Sequence, residues 1–412
     1  MCKLKVRKNV DSTNLKQIFE IVFLCGKLYT MIASHIKKIP PSGIREFFDL
    51  VLGMPDVISL GVGEPDFVTP WRVREKAITA LEEGYTSYTS NKGLKVLRKK
   101  IANYLRKKYS LSYNPEEEIL ITAGVSEALD LALRALLNPK DKVLVISPHY
   151  VAYPALVSLA LAEVVYLETC FEEGFKVNID KLAEIVKRKK PKLIILNYPS
   201  NPTGITYSQN ELKEIWKILS KEEIFIISDE IYSEITYGKK HIPFSSLKGA
   251  KRKTLLLNGF SKGFAMTGFR IGYACGSKEV IGAMTKIHSF SMLCAPIISQ
   301  IAACEALERE KEVEEMVKEY KRRKEFIVKE LNRLNLKTVR PEGAFYCFPS
   351  IEKFKISSLE FARHLLLEEK VAVVPGRAFG NSYDKFLRIS FANSLDNLKE
   401  AIIRLERFLN NL

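Results

Sequence analysis

Between residues 119 and 275 the chain holds a series of short runs rich in Val, Ile and Leu: Ile119–Thr122, Val143–Ser147, Val164–Leu167, Leu193–Asn197, Ile224–Ser228, Thr254–Asn258 and Ile271–Cys275. Several place apolar residues at successive positions, not alternate ones. A strand with one solvated face alternates with period two, so unbroken apolar runs call for burial on both faces, the condition of a parallel sheet. Helical stretches lie between them, among them Val125–Leu137, Ile179–Lys189 and Gln209–Leu219. The pattern predicts an α/β fold whose large domain holds a mostly parallel sheet between helices.

After about residue 296 the pattern changes. A long helical stretch, Ile298–Leu334, leads to short strand candidates at Thr338–Arg340, Ala344–Phe348, Val371–Val374 and Phe386–Ser390, with helices over 358–369 and 395–409. This reads as a smaller α+β domain. With 412 residues the chain is long enough for both. The expected division is an N-terminal extension over 1–30, an arm over 31–65 joining the small domain, a large domain over 66–296 and a small C-terminal domain over 297–412.

The net charge of +16 raises the question of a nucleic-acid partner. The basic residues are mixed with acids along the whole chain, as in 306–330 (ALEREKEVEEMVKEYKRRKEFIVKE), which is the composition of solvated helix faces. No nucleic-acid partner is expected. The seven cysteines are scattered without a C-x-x-C pair, which favours a reducing cytoplasm, and the histidines lack metal-ligand spacing, so no metal is expected. No run of 18 apolar residues exists, so no membrane span is expected. Met1–Lys8 is basic and Ile18–Gly26 apolar, which resembles a signal peptide, but Glu20 interrupts the run and no small-x-small cleavage site follows. The simpler expectation is a cytoplasmic protein whose working chain begins near Met31.

Four segments depart from what packing alone requires. The first is Asn258–Tyr273, NGFSKGFAMTGFRIGY, in which Ser261 and Lys262 follow a strand at the end where α/β sheets place ligands. A lone lysine there is ordinarily a surface residue. Here Gly259, Gly263, Gly268 and Gly272 let backbone come close, and Ser261 with Arg270 can hold a phosphate. The second is Ser228–Tyr232, SDEIY, after an apolar strand. Asp229 at that strand's end is costly unless it meets a cation, and a protonated pyridine nitrogen is one; a metal-binding Asp of a nucleotide hydrolase is the alternative, without the G-x-x-x-x-G-K-[ST] loop it would need. The third is Asn197–Gly204, NYPSNPTG, whose prolines and glycine fix a turn that aims Asn201. The fourth is Thr122–Glu127, TAGVSE, where the amides of Gly124, Val125 and Ser126 open a helix N-terminus suited to a phosphate.

Together these segments resemble the class I/II aminotransferases, fold-type-I enzymes dependent on pyridoxal 5′-phosphate, from about Ile39 to the C-terminus. Matching pieces also include Leu60–Phe67, Tyr85–Gly93, Gly343–Tyr346 and Phe386–Ser390. The resemblance implies that Lys262 carries the cofactor as a Schiff base and shuttles a proton, with Asp229 on the pyridine nitrogen and Asn201 and Tyr232 on the phenolic oxygen. Tyr150 would lie against the ring. Gly124, Val125, Ser126, Ser261 and Arg270 would form the phosphate cup, with Tyr88 reaching the phosphate of a second subunit in a homodimer. Arg388 would anchor the substrate α-carboxylate, aided by Asn201 and the Gly63 backbone; a planar guanidinium suits a carboxylate better than a lysine does.

One departure bears on substrate choice. Some family members place a basic residue at the position of Ser126 for acidic substrates. Phe290, Met292 and Leu293 give the expected side-chain pocket region an apolar cast. The resemblance implies amino transfer from an aromatic, aspartate or aliphatic L-amino acid to a 2-oxo acid, with 2-oxoglutarate as acceptor. A C–S β-lyase on the same residues is the rival enzyme. A ligand sensor in a transcription regulator would need a helix-turn-helix domain ahead of this body, for which 30 to 40 residues are too few.

Overall fold

The computed structural model describes residues 31–37, 39 and 54–412. The expected extension over 1–30 lies outside the described residues, as does part of the expected arm. The chain divides into two compact units, residues 1–41 and 42–412. Of the first, the described part holds one helical turn, Ser34–Lys37.

The centre of the second unit is a seven-stranded sheet. After the two-residue strand β1 (Ile58–Ser59), the sheet's strands are β2 (Ile119–Thr122), β3 (Lys142–Ser147), β4 (Glu163–Glu168), β5 (Leu193–Asn197), β6 (Phe225–Asp229), β7 (Thr254–Gly259) and β8 (Gly272–Cys275). Their spatial order is β2-β8-β7-β6-β5-β3-β4. Neighbours from β7 to β4 pair in parallel, and β8 alone runs against both its neighbours. Strands β2, β7 and β8 are buried at every position, as unbroken apolar runs require, while the edge strand β4 is largely exposed. Register brings the motifs together. Asn197 pairs with Asp229, Gly259 with Gly272, and Thr122 with Gly272, so four sequence segments end along one rim of the sheet.

Helices flank this sheet, and their starts follow local capping chemistry. Ser208 with Glu211 forms a capping box ahead of Gln209–Leu219, and Asn178 and Ser277 accept bonds from the first turns of Ile179–Lys189 and Lys278–Ser291. The long helical stretch, for which a kink was open, is two helices, Ile297–Ala306 and Glu310–Arg333. The reason lies in their buried faces. Ala302, Ala303 and Ala306 pack into the cluster of Leu97, Ile101 and Phe260. Tyr320, Ile327 and Leu331 pack into that of Phe345 and Phe361. The helix direction changes between the two clusters, over Leu307–Arg309.

The C-terminal strands are shorter than the sequence suggests. Thr338–Arg340 forms no strand: Thr338 bonds locally to Asn332 Oδ1 and to the Leu336 carbonyl oxygen. Ala344 adopts a left-handed φ of 53°, which confines the next strand to β9 (Tyr346–Cys347). The run 371–374 splits into β10 (Val371–Ala372), parallel to β1, and β11 (Val374–Pro375). Strand β11 pairs with β12 (Leu387–Ser390), which pairs in turn with β9. That small sheet places Arg388 beside the rim described above.

Candidate active site

A cavity of about 910 Å³ opens at that rim. Gly63, Val125, Ser126, Tyr150, Asn201, Asp229, Tyr232, Ser261, Lys262, Arg270 and Arg388 all line it. Gly124 lies just behind, as the cap of the helix Val125–Leu136. Tyr88 does not line the cavity and is 82% exposed. Phe290, Met292 and Leu293 do not line it either: they sit at the exposed end of the helix Lys278–Ser291 and beyond it.

Lys262 follows β7, and its side chain is half-buried. Its Nζ donates to the Gly63 carbonyl oxygen at 2.6 Å. Burial lowers its pKa to about 8, against the pull of Glu64, and Arg388 and Arg270 push the same way. The amine is therefore neutral in a useful fraction of molecules near neutrality.

Asp229 ends β6, and burial raises its carboxyl pKa to about 6. Two donors oppose that cost: Tyr153 Oη at 2.7 Å on one oxygen and the Ile231 amide at 3.3 Å on the other. Behind it, Asn197 donates through Nδ2 to the Asp229 carbonyl oxygen and accepts at Oδ1 from the Asn201 amide, both at 3.0 Å. Asn197 thus locks the turn that aims Asn201 to the strand that carries Asp229.

Arg388 is 3% exposed. Its guanidinium donates to Asn201 Oδ1 at 3.0 Å and to the Gly61 carbonyl oxygen at 2.5 Å, and lies 4.6 Å from the centre of the Tyr346 ring. Its Nε is buried and has no hydrogen-bond partner among the described residues. A buried guanidinium without a carboxylate is costly, so the arrangement suits an anionic ligand at this place.

The other anion site is built from close backbone approach. Gly124 adopts φ +86°, and a Cβ there would lie 2.6 Å from Arg270 NH2. A Cβ on Gly272 would lie 2.7 Å from the Val125 amide nitrogen. The two glycines let Arg270 and strand β8 reach the N-terminus of Val125–Leu136, where free amides and the helix dipole favour negative charge. Arg270 bonds the Thr267 carbonyl oxygen at 3.2 Å, which holds the guanidinium beside that terminus.

Several residues that shape the site were given no role from the sequence, although Glu64, Asn197 and Tyr346 fall inside the quoted segments. Tyr153 stands three positions after Tyr150, on the same side of a helical turn, and reads as a core tyrosine until Asp229 is seen beneath it. Tyr346 lines the cavity, with its hydroxyl 2.8 Å from that of Tyr232. Glu64 also lines the cavity, and Asn197 reads simply as the start of a turn. No helix among the described residues is long and apolar enough to cross a membrane.

A half-buried lysine, a buried carboxylate and two arginines beside close-packed backbone meet at the strand-end rim of an open α/β sheet, the place where such folds put an enzyme's binding site. The model of the family "Aminotransferase class I and II" matches residues 55–405, and the chain belongs to that family. It is 41% identical over 382 residues to an aspartate aminotransferase of Pyrococcus abyssi, covering 92% of this chain and 98% of that one. Among solved structures, the aromatic aminotransferase from Pyrococcus horikoshii is 40% identical with a TM-score of 0.84, covering 89% of this chain and 99% of the other. The aspartate aminotransferase from Thermus thermophilus with maleate is 36% identical with a TM-score of 0.87, covering 92% and 99%.

Proposed function

We propose that this chain is a pyridoxal-phosphate-dependent aminotransferase that moves the amino group of an aromatic, aspartate or aliphatic L-amino acid to a 2-oxo acid, with 2-oxoglutarate as acceptor. The observation that carries this reading is the meeting, in one cavity, of Lys262 with its lowered pKa, the buried Asp229 and the unpartnered Nε of Arg388. The residues present fit the cofactor: a covalent anchor in Lys262, a carboxylate for its ring nitrogen in Asp229, and a phosphate cradle that a Cβ at Gly124 or Gly272 would fill.

When bound, pyridoxal phosphate supplies an electron-poor ring that draws in the electron pair left on the substrate α-carbon. The chain's own groups do the rest. Asp229 would face the ring nitrogen and favour its protonated form. Asn201, whose Oδ1 is taken by Arg388, offers its amide nitrogen to the phenolic oxygen, and Tyr232 offers its hydroxyl. Tyr150 covers the ring face. Val125, Ser126, Ser261 and Arg270 hold the phosphate together with the Gly124 turn. Arg388 grips the α-carboxylate beside Gly63. Lys262, neutral in part near pH 8, would be the group that takes and returns the substrate's α-proton once the cofactor is bound. The exposed Tyr88 reaches the phosphate in a second copy of the chain, so the working form is a homodimer in the cytoplasm. Residues 66–296 act as the cofactor-holding domain and 297–412 as the smaller domain that brings Arg388.

The test is to incubate the protein with pyridoxal phosphate, 2-oxoglutarate and single amino acids, and to assay glutamate. Glutamate formed in step with the donor's 2-oxo acid supports the reading. Pyruvate and ammonia released without any acceptor would replace it with a β-lyase.

A further inference from the structure

We propose that Tyr346 is a positioning residue for Tyr232: its hydroxyl donates to the Tyr232 oxygen and so turns the Tyr232 proton toward the cofactor's phenolic oxygen. This rests on the function proposed above. The two hydroxyls lie 2.8 Å apart, and neither has another hydrogen bond among the described residues. Tyr232 is 3% exposed and Tyr346 fully buried, and both line the cavity. A phenol has a single proton. Within the pair one hydroxyl spends its proton on the other, and only the acceptor keeps one for a third group.

The surroundings decide which is the donor. Strands β9 and β12 pair Tyr346 with Ser390, so Arg388, two residues away, lies on the same face of the sheet. Its guanidinium sits 4.6 Å from the centre of the Tyr346 ring. Arg388 bears on both hydroxyls, but its guanidinium lies directly against the ring of Tyr346 and makes no such ring contact with Tyr232. The closer cation makes Tyr346 the better donor, which leaves Tyr232 the acceptor with its proton free. The other charged or titratable groups that bear on the pair are Tyr150, on both hydroxyls, and Glu64, on that of Tyr346. The Tyr346 ring cannot swing away: it packs 4.8 Å from the ring of Phe345, and its hydroxyl is 2.8 Å from where a Cβ on Gly63 would stand. Glycine at 63 is thus also what leaves room for the hydroxyl pair.

An accepted hydrogen bond makes the Tyr232 hydroxyl a stronger donor in its turn. The phenolic oxygen carries its full negative charge only when the nitrogen linking cofactor to Lys262 has lost its proton. A stronger donor at that oxygen therefore lowers the pH at which the linkage titrates.

The experiment is a spectrophotometric pH titration of the cofactor-loaded protein and of Tyr346→Phe, Tyr232→Phe and the double variant, with thermal melting of each to confirm folding. Phenylalanine keeps the ring against Arg388 and Phe345 and removes only the hydroxyl. Tyr346→Phe is expected to raise the titration midpoint by about half to one pH unit, the effect of one net hydrogen bond. Tyr232→Phe is expected to raise it further, and the double variant to match Tyr232→Phe, because the Tyr346 hydroxyl acts only through Tyr232. A midpoint unmoved by Tyr346→Phe overturns the proposal, and so does an equal rise in the Tyr232→Phe background. A wild-type protein that shows no cofactor band overturns the functional reading itself, a different result from a normal band that Tyr346→Phe leaves in place.

Discussion

Lys262 Nζ donates a hydrogen bond to the carbonyl oxygen of Gly63 across 199 positions of sequence, at 2.6 Å. The bond ties the end of β7 to the segment after β1. It also gives the amine a neutral partner, with no carboxylate hydrogen-bonded to it, and burial then keeps its pKa near 8. Reaction with an aldehyde needs the neutral amine. Uptake of pyridoxal phosphate by the apoprotein is therefore expected to speed up as pH rises through about 8, and not to wait for the ordinary lysine value of 10.5. Stopped-flow absorbance checks this.

The same shift bears on stability. The folded protein binds fewer protons than the unfolded chain between about 8 and 10.5, so the apoprotein gains stability as pH rises through that window. Lys262→Met removes that gain. Thermal melting across pH reads it directly.

Asp229 works in the opposite sense. Its folded pKa of about 6 stands above the ordinary 3.8, so the group costs stability as pH rises through that interval and the full cost persists above it. Asp229→Asn is expected to stabilise the apoprotein at pH 8 by about 2 kcal/mol, fading to nothing near pH 4. The same variant is expected to lose transamination by on the order of 100-fold or more, because a neutral amide does not hold the ring-nitrogen proton. Tyr153→Phe removes a donor from the carboxylate and moves the acid window of the melting curve upward.

Arg388→Lys is expected to lower kcat/KM for amino acids by about 10- to 100-fold, the effect of exchanging a planar two-pronged donor for a point charge. An amine that lacks the α-carboxylate should be affected much less. Steady-state kinetics with the paired substrates separates lost carboxylate binding from general damage.

Gly272→Ala is expected to destabilise the protein by about 1–3 kcal/mol, since the new methyl meets backbone and not a side chain that could turn aside. It should also weaken cofactor binding, because the displaced neighbours are Gly124 and Val125. Melting and equilibrium dialysis report the two effects.

How much of this was legible in the sequence depends on the kind of interaction. The central strands were readable because burial on both faces leaves no polar alternation, and Asp229, Asn201 and Lys262 were readable because each interrupts an apolar run or follows it at the rim. The roles of Tyr153 and of Tyr346, the latter inside the matching segment Gly343–Tyr346, were not, because a buried tyrosine looks the same whether its hydroxyl serves a carboxylate, another hydroxyl or the core. A kink in Ile298–Leu334 was open from the sequence, but its place at Leu307–Arg309 was not, because residues on both sides are good helix formers. The exposed places of Tyr88 and Phe290 were invisible to residue type, since an aromatic near a motif reads as pocket wall.

Amino transfer through Lys262 is read in the absorption spectrum of the purified protein with pyridoxal phosphate, before and after single amino acids are added. A band at about 360–430 nm that moves to about 330 nm with a reactive donor, and fails to move in Lys262→Ala, is the result expected of an aminotransferase working through Lys262. No band after added cofactor, or a shift that Lys262→Ala retains in full, would contradict it.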